Sequence, residues 1–204
     1  MDLIFMSTAF ATLFVVIDPI GLMPVFVALT SGMTPSERRA IAVRSCLVAL
    51  GILTLFGLLG EAVLGFVGIS MPAFRIAGGI LLFLTALDML FERRSKRRED
   101  QSAAENDPSV FPLALPLIAG PGAIASMILL TGSSAGWETT LATHLVVFAV
   151  VGIAFLLFLS SSLVERILGK TGINVVTRIL GMLLAALSVQ FVLDGLRDLG
   201  VFTG

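Results

Sequence analysis

The sequence predicts an all-α membrane protein: six transmembrane helices, arranged as two inverted three-helix repeats, with helices 1 and 4 broken near mid-membrane. Three observations carry that expectation. First, 57% of the 204 residues are hydrophobic and 13% charged, with a mean hydropathy of +1.05; a soluble domain carries about 25% charged residues. Second, two apolar stretches are interrupted by groups that suit lipid badly, Asp18-Pro19-Ile20-Gly21-Leu22-Met23-Pro24 in one and Pro112, Pro116 and Gly120-Pro121-Gly122 in the other. Third, the two halves share short stretches at a nearly constant offset.

A spanning helix needs roughly 20 apolar residues. Six segments qualify, at about 3–28, 41–66, 73–91, 111–131, 141–163 and 176–196. The first follows Met1-Asp2-Leu3, which lacks the basic n-region of a cleaved signal peptide, so this helix is expected to stay. Thr34-Pro35-Ser36-Glu37 leads into the second, with Thr34 as N-cap, Pro35 at the first helical position and Glu37 closing a capping box. Gly68-Ile69-Ser70-Met71-Pro72 reads as the turn before the third. Glu92 to Pro108 is the one plainly polar stretch and reads as a mobile loop; Thr131–Thr140 and Glu165–Asn174 are the remaining connections.

Orientation follows from Lys and Arg in the short loops. Arg38, Arg39, Arg44, Arg93, Arg94, Lys96, Arg97, Arg98, Arg166, Lys170 and Arg178 fall on one side, and only Arg75 and Arg197 on the other. Both termini are therefore expected outside and the basic loops in the cytoplasm.

Arg75-Ile76-Ala77-Gly78-Gly79-Ile80-Leu81-Leu82 matches Arg178-Ile179-Leu180-Gly181-Met182-Leu183-Leu184 at an offset of 103, and Asp18-Pro19 matches Gly120-Pro121 at 102. The chain thus reads as one transmembrane domain, 1–204: a first repeat at 1–91, a cytoplasmic basic loop at 92–110 and a second repeat at 111–204. Three spans per repeat is an odd number, so the second repeat inserts upside down relative to the first. Inverted repeats with discontinuous helices at matching positions are an architecture of secondary transporters.

The candidate binding residues lie at the two breaks: Asp18, Pro19, Gly21 and Pro24 at the first, and Gly120, Pro121, Gly122, Ala123 and Ile124 at the second. Asp18-Pro19 fits an N-cap and N1 pair. Gly120-Pro121 fits the same slots, but glycine has no side chain to cap with. The amides of Gly122, Ala123 and Ile124 are then left for an anion. A zwitterion suits this asymmetry, its carboxylate on those amides and its ammonium near Asp18. Asp18 is alternatively a site for a coupling H⁺ or Na⁺. The plainer reading makes Asp18 a helix cap and the prolines kinks. A cap contributes only about 1 kcal/mol, against roughly 2.5–3.5 kcal/mol to insert a mid-membrane charge.

Arg75 and Arg178 are secondary candidates, read mainly as interfacial anchors or partners of Glu61, Asp194 or loop carbonyls. Ser126, Gln190 and Thr85 are expected to be buried polar groups, lining a path or bonding between helices. Asp88, Glu61 and Asp194 are expected to reach an interface, His144 to be solvated, and Cys46 to be a small buried hydrophobe. No metal-ligand cluster, cofactor motif or nucleophile–base arrangement stands out, which argues against an enzyme. The partners expected are the lipid bilayer and a small-molecule substrate, not nucleic acid.

The stretches FVVIDPIGLMPVFVALT, FRIAGGILLFLTALDML and PLALPLIAGPGAIASMILL resemble the MarC family of small multi-pass membrane proteins over essentially the whole chain. The resemblance implies a six-helix inner-membrane protein, its motif residues falling on Asp18, Pro19, Gly21, Pro24, Gly120, Pro121 and Gly122. It also implies kinship with the LysE-type amino-acid exporters and with SnatA, an archaeal transporter of small neutral amino acids. The functional expectation is a bacterial inner-membrane secondary transporter of small neutral amino acids. An exporter of another small amphipathic metabolite and a non-transporting structural or regulatory membrane protein stand as alternatives.

Overall fold

The computed structural model describes residues 3–91, 108–132 and 136–201. Positions 92–107 of the expected basic loop lie outside the described residues. Among the described residues every element is helical or helix-like. In chain order these are α1 (Leu3–Ile17), α2 (Pro19–Leu29), α3 (Pro35–Val67), α4 (Met71–Leu90), an irregular coil (Ser109–Ile118), α5 (Pro121–Thr131), α6 (Trp137–Leu159) and α7 (Ser161–Asp198). Five spans are long and apolar enough to cross a membrane, α1 and α2 counting together, and a sixth joins them when the coil and α5 are taken as one.

Local chemistry sets the helix starts. Thr34 Oγ1 accepts from Glu37 N–H at 3.3 Å while Glu37 Oε2 accepts from Thr34 N–H at 2.7 Å, so the capping box closes both ways. It starts α3 at Pro35, well before the apolar run at 41, and carries Arg38, Arg39 and Arg44 on helix. Gly68 takes φ 81 at the other end of α3, a left-handed turn open to glycine, and Ser70 caps α4 by accepting from Ala73 N–H at 3.4 Å.

Two expectations need correction. Glu165–Asn174 is not an irregular loop: two helices meet within α7 at a kink at Gly169 (φ 62, ψ 172), and the helix long enough to cross a membrane begins at Thr171. The connection is thus present but one residue wide, because positive φ at a single glycine turns the chain without a loop. The first part of the fourth segment is not an α-helix. Phe111 and Leu115 are extended, and the bonds span five residues, Leu113 N–H to Pro108 C=O at 3.2 Å and Ala119 N–H to Ala114 C=O at 2.8 Å. The cause is proline at a spacing of four: each ring pushes the residue before it out of the α region, and Pro112 and Pro116 supply no N–H. The coil meets α5 at 54°.

In the most apolar window of Leu3–Leu29, 61% of the residues are buried, against 28% in α3, 28% in α4 and 22% in α7. The first span is therefore central, and α3, α4 and α7 face outward with Leu58, Phe66, Ile80, Leu84, Ile179 and Met182 exposed. So much exposed apolar surface suits lipid rather than water. The most extensive contact joins α4 and α7, antiparallel and close at three glycines. Gly195 lies against Pro72 and Ile76, Gly79 against Ser188 and Val192, and Gly181 against Ala86 and Met89. Small residues let helix backbones approach, which is how apolar helices associate where lipid gives no hydrophobic drive.

Candidate functional site

Asp18 separates α1 from α2. It is fully buried, with φ 53 and ψ 63; a non-glycine residue with positive φ is uncommon, and Asp is among the few enriched there. Its carboxylate Oδ1 accepts from Gly21 N–H at 3.0 Å, and Pro19 takes the first helical position, as the sequence predicts. The backbone ladder persists on both sides, with Asp18 N–H bonded to Phe14 C=O at 2.9 Å and Leu22 N–H to Asp18 C=O at 3.1 Å. The interruption is thus one residue wide. Pro24, half-buried inside α2, cannot donate to the Ile20 carbonyl.

Gly21 is required by the carboxylate folded over it, since a Cβ at this position would overlap the Asp18 carboxyl group. Gly21→Ala is expected to displace the cap and cost at least about 1 kcal/mol. Thermal unfolding in detergent checks this, and an unchanged melting temperature would place the carboxylate elsewhere.

The second break is built differently. Gly120 is the N-cap of α5, with no side-chain cap, and Pro121 follows at N1. A Cβ on Gly120 would lie 2.5 Å from the Pro116 carbonyl oxygen, so no capping side chain fits. Ile124 N–H bonds to Gly120 C=O at 3.0 Å. That corrects one expectation: the Ile124 amide is already used by the first turn, and the amides left at the helix start are those of Gly122 and Ala123. Both residues are buried. One turn beyond Gly122, the fully buried Ser126 hydroxyl has no hydrogen-bond partner among the described residues, whereas Thr30, Thr85 and Thr131 each donate to a carbonyl of their own helix.

The two breaks are neighbours. A Cβ on Gly122 would lie 3.1 Å from Leu82 Cδ2, 3.3 Å from Val16 Cγ1 and 3.6 Å from Thr85 Oγ1. Val16 precedes Asp18 by two residues, so the open start of α5 packs against the end of α1 with α4 closing the side.

The other candidates lie elsewhere. Arg75 donates to Asp198 at 2.6 Å, not to Glu61 or Asp194, because the antiparallel α4–α7 pairing sets the first turns of α4 beside the last turn of α7. Gln190, expected to be buried, is exposed and donates to Asp194 at 2.8 Å, on the face of α7 turned away from α4. Arg178 and Glu61 are exposed, Asp88 is half-buried and Cys46 is buried. His144 overturns its expectation. It is 9% exposed, its Nδ1 lies 2.6 Å from Thr140 C=O, and its Nε2 has no partner among the described residues.

A cluster that sequence reading missed holds one end of the bundle. The Phe26 and Phe158 rings stack at 4.6 Å and 6°, Arg38 lies 5.7 Å above the Phe26 ring, and Arg38 donates to Ser161 at 3.1 Å. No local signal joins residues more than a hundred positions apart.

Residues 3–199 match the family described as MarC family integral membrane protein. The chain belongs to the MarC family. It is 39% identical over 196 residues to a UPF0056 membrane protein of Aquifex aeolicus, covering 94% of this chain and 92% of that one. A UPF0056 membrane protein of Methanocaldococcus jannaschii is 38% identical over 201 residues, covering 97% and 98%. The UPF0056 inner membrane protein YhgN of Escherichia coli is 36% identical over 192 residues, covering 93% and 95%. No solved structure matches the chain. This MarC protein is thus an integral, multi-pass membrane protein.

Proposed function

We propose that this MarC protein is a secondary transporter of small neutral amino acids in the inner membrane, working by alternating access between two inverted three-helix repeats, 1–91 and 111–204. The observation that carries the reading is the meeting of the two breaks. A buried carboxylate stands at one, and at the other an uncapped helix start with a buried serine hydroxyl that has no hydrogen-bond partner among the described residues. Gly122 joins them through Val16. The inverted repeat draws support from α2 and α5, each of 11 residues opening on proline, and from the antiparallel glycine contacts of α4 and α7.

An amino acid carries the complementary charges. Its carboxylate suits the Gly122 and Ala123 amides at the positive end of the α5 dipole, with Ser126 within a turn to donate a further bond. Its ammonium suits Asp18. When the substrate is away, the same carboxylate can take up H⁺ or Na⁺, which would couple the two fluxes. The chemistry is binding and release rather than catalysis. The eleven-to-two distribution of basic residues favours both termini outside the cytoplasm.

Uptake and counterflow of labelled alanine and glycine in proteoliposomes, under an imposed pH or Na⁺ gradient, tests the reading. Saturable flux is expected. Its absence from folded protein removes the assignment to neutral amino acids.

Alternating access needs a closure at each end, and the Arg38–Phe26–Phe158–Ser161 cluster serves at the basic end. Arg38→Ala is expected to weaken it by about 1–2 kcal/mol, a factor of roughly 5–30 in a two-state ratio. Faster hydrogen exchange around Phe158 reads this. Unchanged exchange would remove Arg38 from the closure.

A further inference from the structure

His144 is the single histidine of the chain, and it sits inside a spanning helix. Its Nδ1 lies 2.6 Å from the Thr140 carbonyl, which can only accept, so Nδ1 carries the proton and Nε2 presents a lone pair. That lone pair is buried with no partner among the described residues. It faces α3 where Gly57 leaves room: a Cβ there would lie 3.1 Å from Nε2 and 2.8 Å from the Met127 methyl of α5. A turn further on, Gly60 receives Ile128, whose Cγ1 would lie 2.4 Å from a Cβ. The contact of α5 on α3 is therefore glycine against methyl groups, with a buried imidazole nitrogen at its edge.

The offset of 102 that relates Pro19 to Pro121 also carries Phe26 onto Ile128, Phe158 onto Phe56 beside Gly57, and Arg38 onto Thr140, the acceptor of His144. The α5–α3 contact is thus the counterpart of the α2–α6 contact at the other end of the bundle. Arg38, whose charge is permanent, braces one. His144, whose ring nitrogen can accept a proton, stands at the other.

We infer that His144 is a proton-binding site and that a proton on Nε2 releases the contact of Met127 and Ile128 against α3. The proton comes from water and adds to the Nε2 lone pair, while Nδ1–H keeps its bond to Thr140. The imidazolium then has a donor and a full charge facing Gly57 and a methyl group. A buried charge without a partner is unfavourable, so the protonated state favours the arrangement in which water reaches Nε2.

The helices packed on α6 supply little to offset that charge. Helices α1, α2 and α5 contain no ionisable side chain. On α3 the charged residue nearest Gly57 is Glu61, exposed, with Glu37, Arg38, Arg39 and Arg44 near its opposite end. Glu138 on α6 is exposed, and Asp18 lies at the α1–α2 break. On α7, Arg166 and Arg178 are exposed, while Asp194 pairs with Arg197 and Asp198 with Arg75.

The gating consequence rests on alternating access; the protonation and the opening do not, and both can be read without a substrate. With one histidine, a ¹⁵N-histidine-labelled protein carrying no histidine tag gives a single imidazole signal in nanodiscs. The Nδ1–H tautomer is expected at the alkaline end of a pH series, and the imidazolium is expected only together with the opening, at its acidic end. In a Cys46→Ser background, Met127→Cys should react with a small thiol reagent at least about tenfold faster at the acidic end, relative to the same protein with His144→Gln. That comparison cancels the thiol's own pH dependence. Gly57→Ala, which presses a methyl group on Nε2, should speed labelling at both ends and keeps the test open if His144→Gln misfolds. A histidine that stays neutral throughout, or labelling that ignores both pH and Gly57→Ala, overturns the inference.

Discussion

Asp18→Asn is expected to abolish saturable flux while leaving the fold in place. Asparagine is as good an N-cap as aspartate, and it tolerates the left-handed conformation that φ 53 requires. Its side-chain oxygen can accept from Gly21 N–H as the carboxylate does at 3.0 Å. What it lacks is the charge. Taking away one partner of a buried charge pair costs about 3–5 kcal/mol, two to three and a half decades of affinity at about 1.4 kcal/mol each. Asp18→Ala provides the contrast, because it loses the cap as well and should lower stability by about 1 kcal/mol more. The measurement is counterflow of labelled alanine beside thermal unfolding. Wild-type flux in Asp18→Asn with impaired stability in Asp18→Ala would reduce Asp18 to a cap. Lost flux with retained stability would assign it to substrate or coupling ion.

The same local chemistry explains what the sequence disclosed. Capping is a short-range affair, so Thr34 with Glu37, Asp18 with Pro19, and Gly120 with Pro121 all found their roles within four residues of chain. Spans were legible from apolar length alone. The wide coil at Ser109–Ile118 had its cause in plain view, since prolines at 112 and 116 restrict the residues before them. The expectation was a helix broken near Gly120-Pro121, and the two earlier prolines carry the irregular stretch back to Ser109. Contacts across the bundle were not legible. In lipid both faces of a helix are apolar, so periodicity does not tell an inward position from an outward one. Hence His144 was expected in solvent and lies buried, Gln190 was expected inside and lies outside, and Arg75 found Asp198, 123 residues away.

Gly79→Ala is expected to be the most damaging small substitution outside the candidate site. A Cβ at Gly79 would lie 2.8 Å from the Ser188 carbonyl oxygen and 3.1 Å from the Val192 backbone nitrogen, with Val192 Cγ2 at 2.8 Å. Two of these are main-chain atoms, so no rotamer change relieves them and α4 must move off α7. Overpacking of this kind costs about 1–3 kcal/mol, and it opposes the close approach on which helix association in lipid depends. Gly51 is the control. It lies in the middle of α3 with nothing within 4 Å of an added Cβ, so Gly51→Ala gains helix propensity, up to about 1 kcal/mol, and loses no packing. Unfolding of both variants in mild detergent should shift in opposite directions. If they moved together, propensity would dominate and the α4–α7 contact would be looser than its glycines imply. If they moved apart, the close main-chain approach at Gly79 would be what holds this antiparallel seam together.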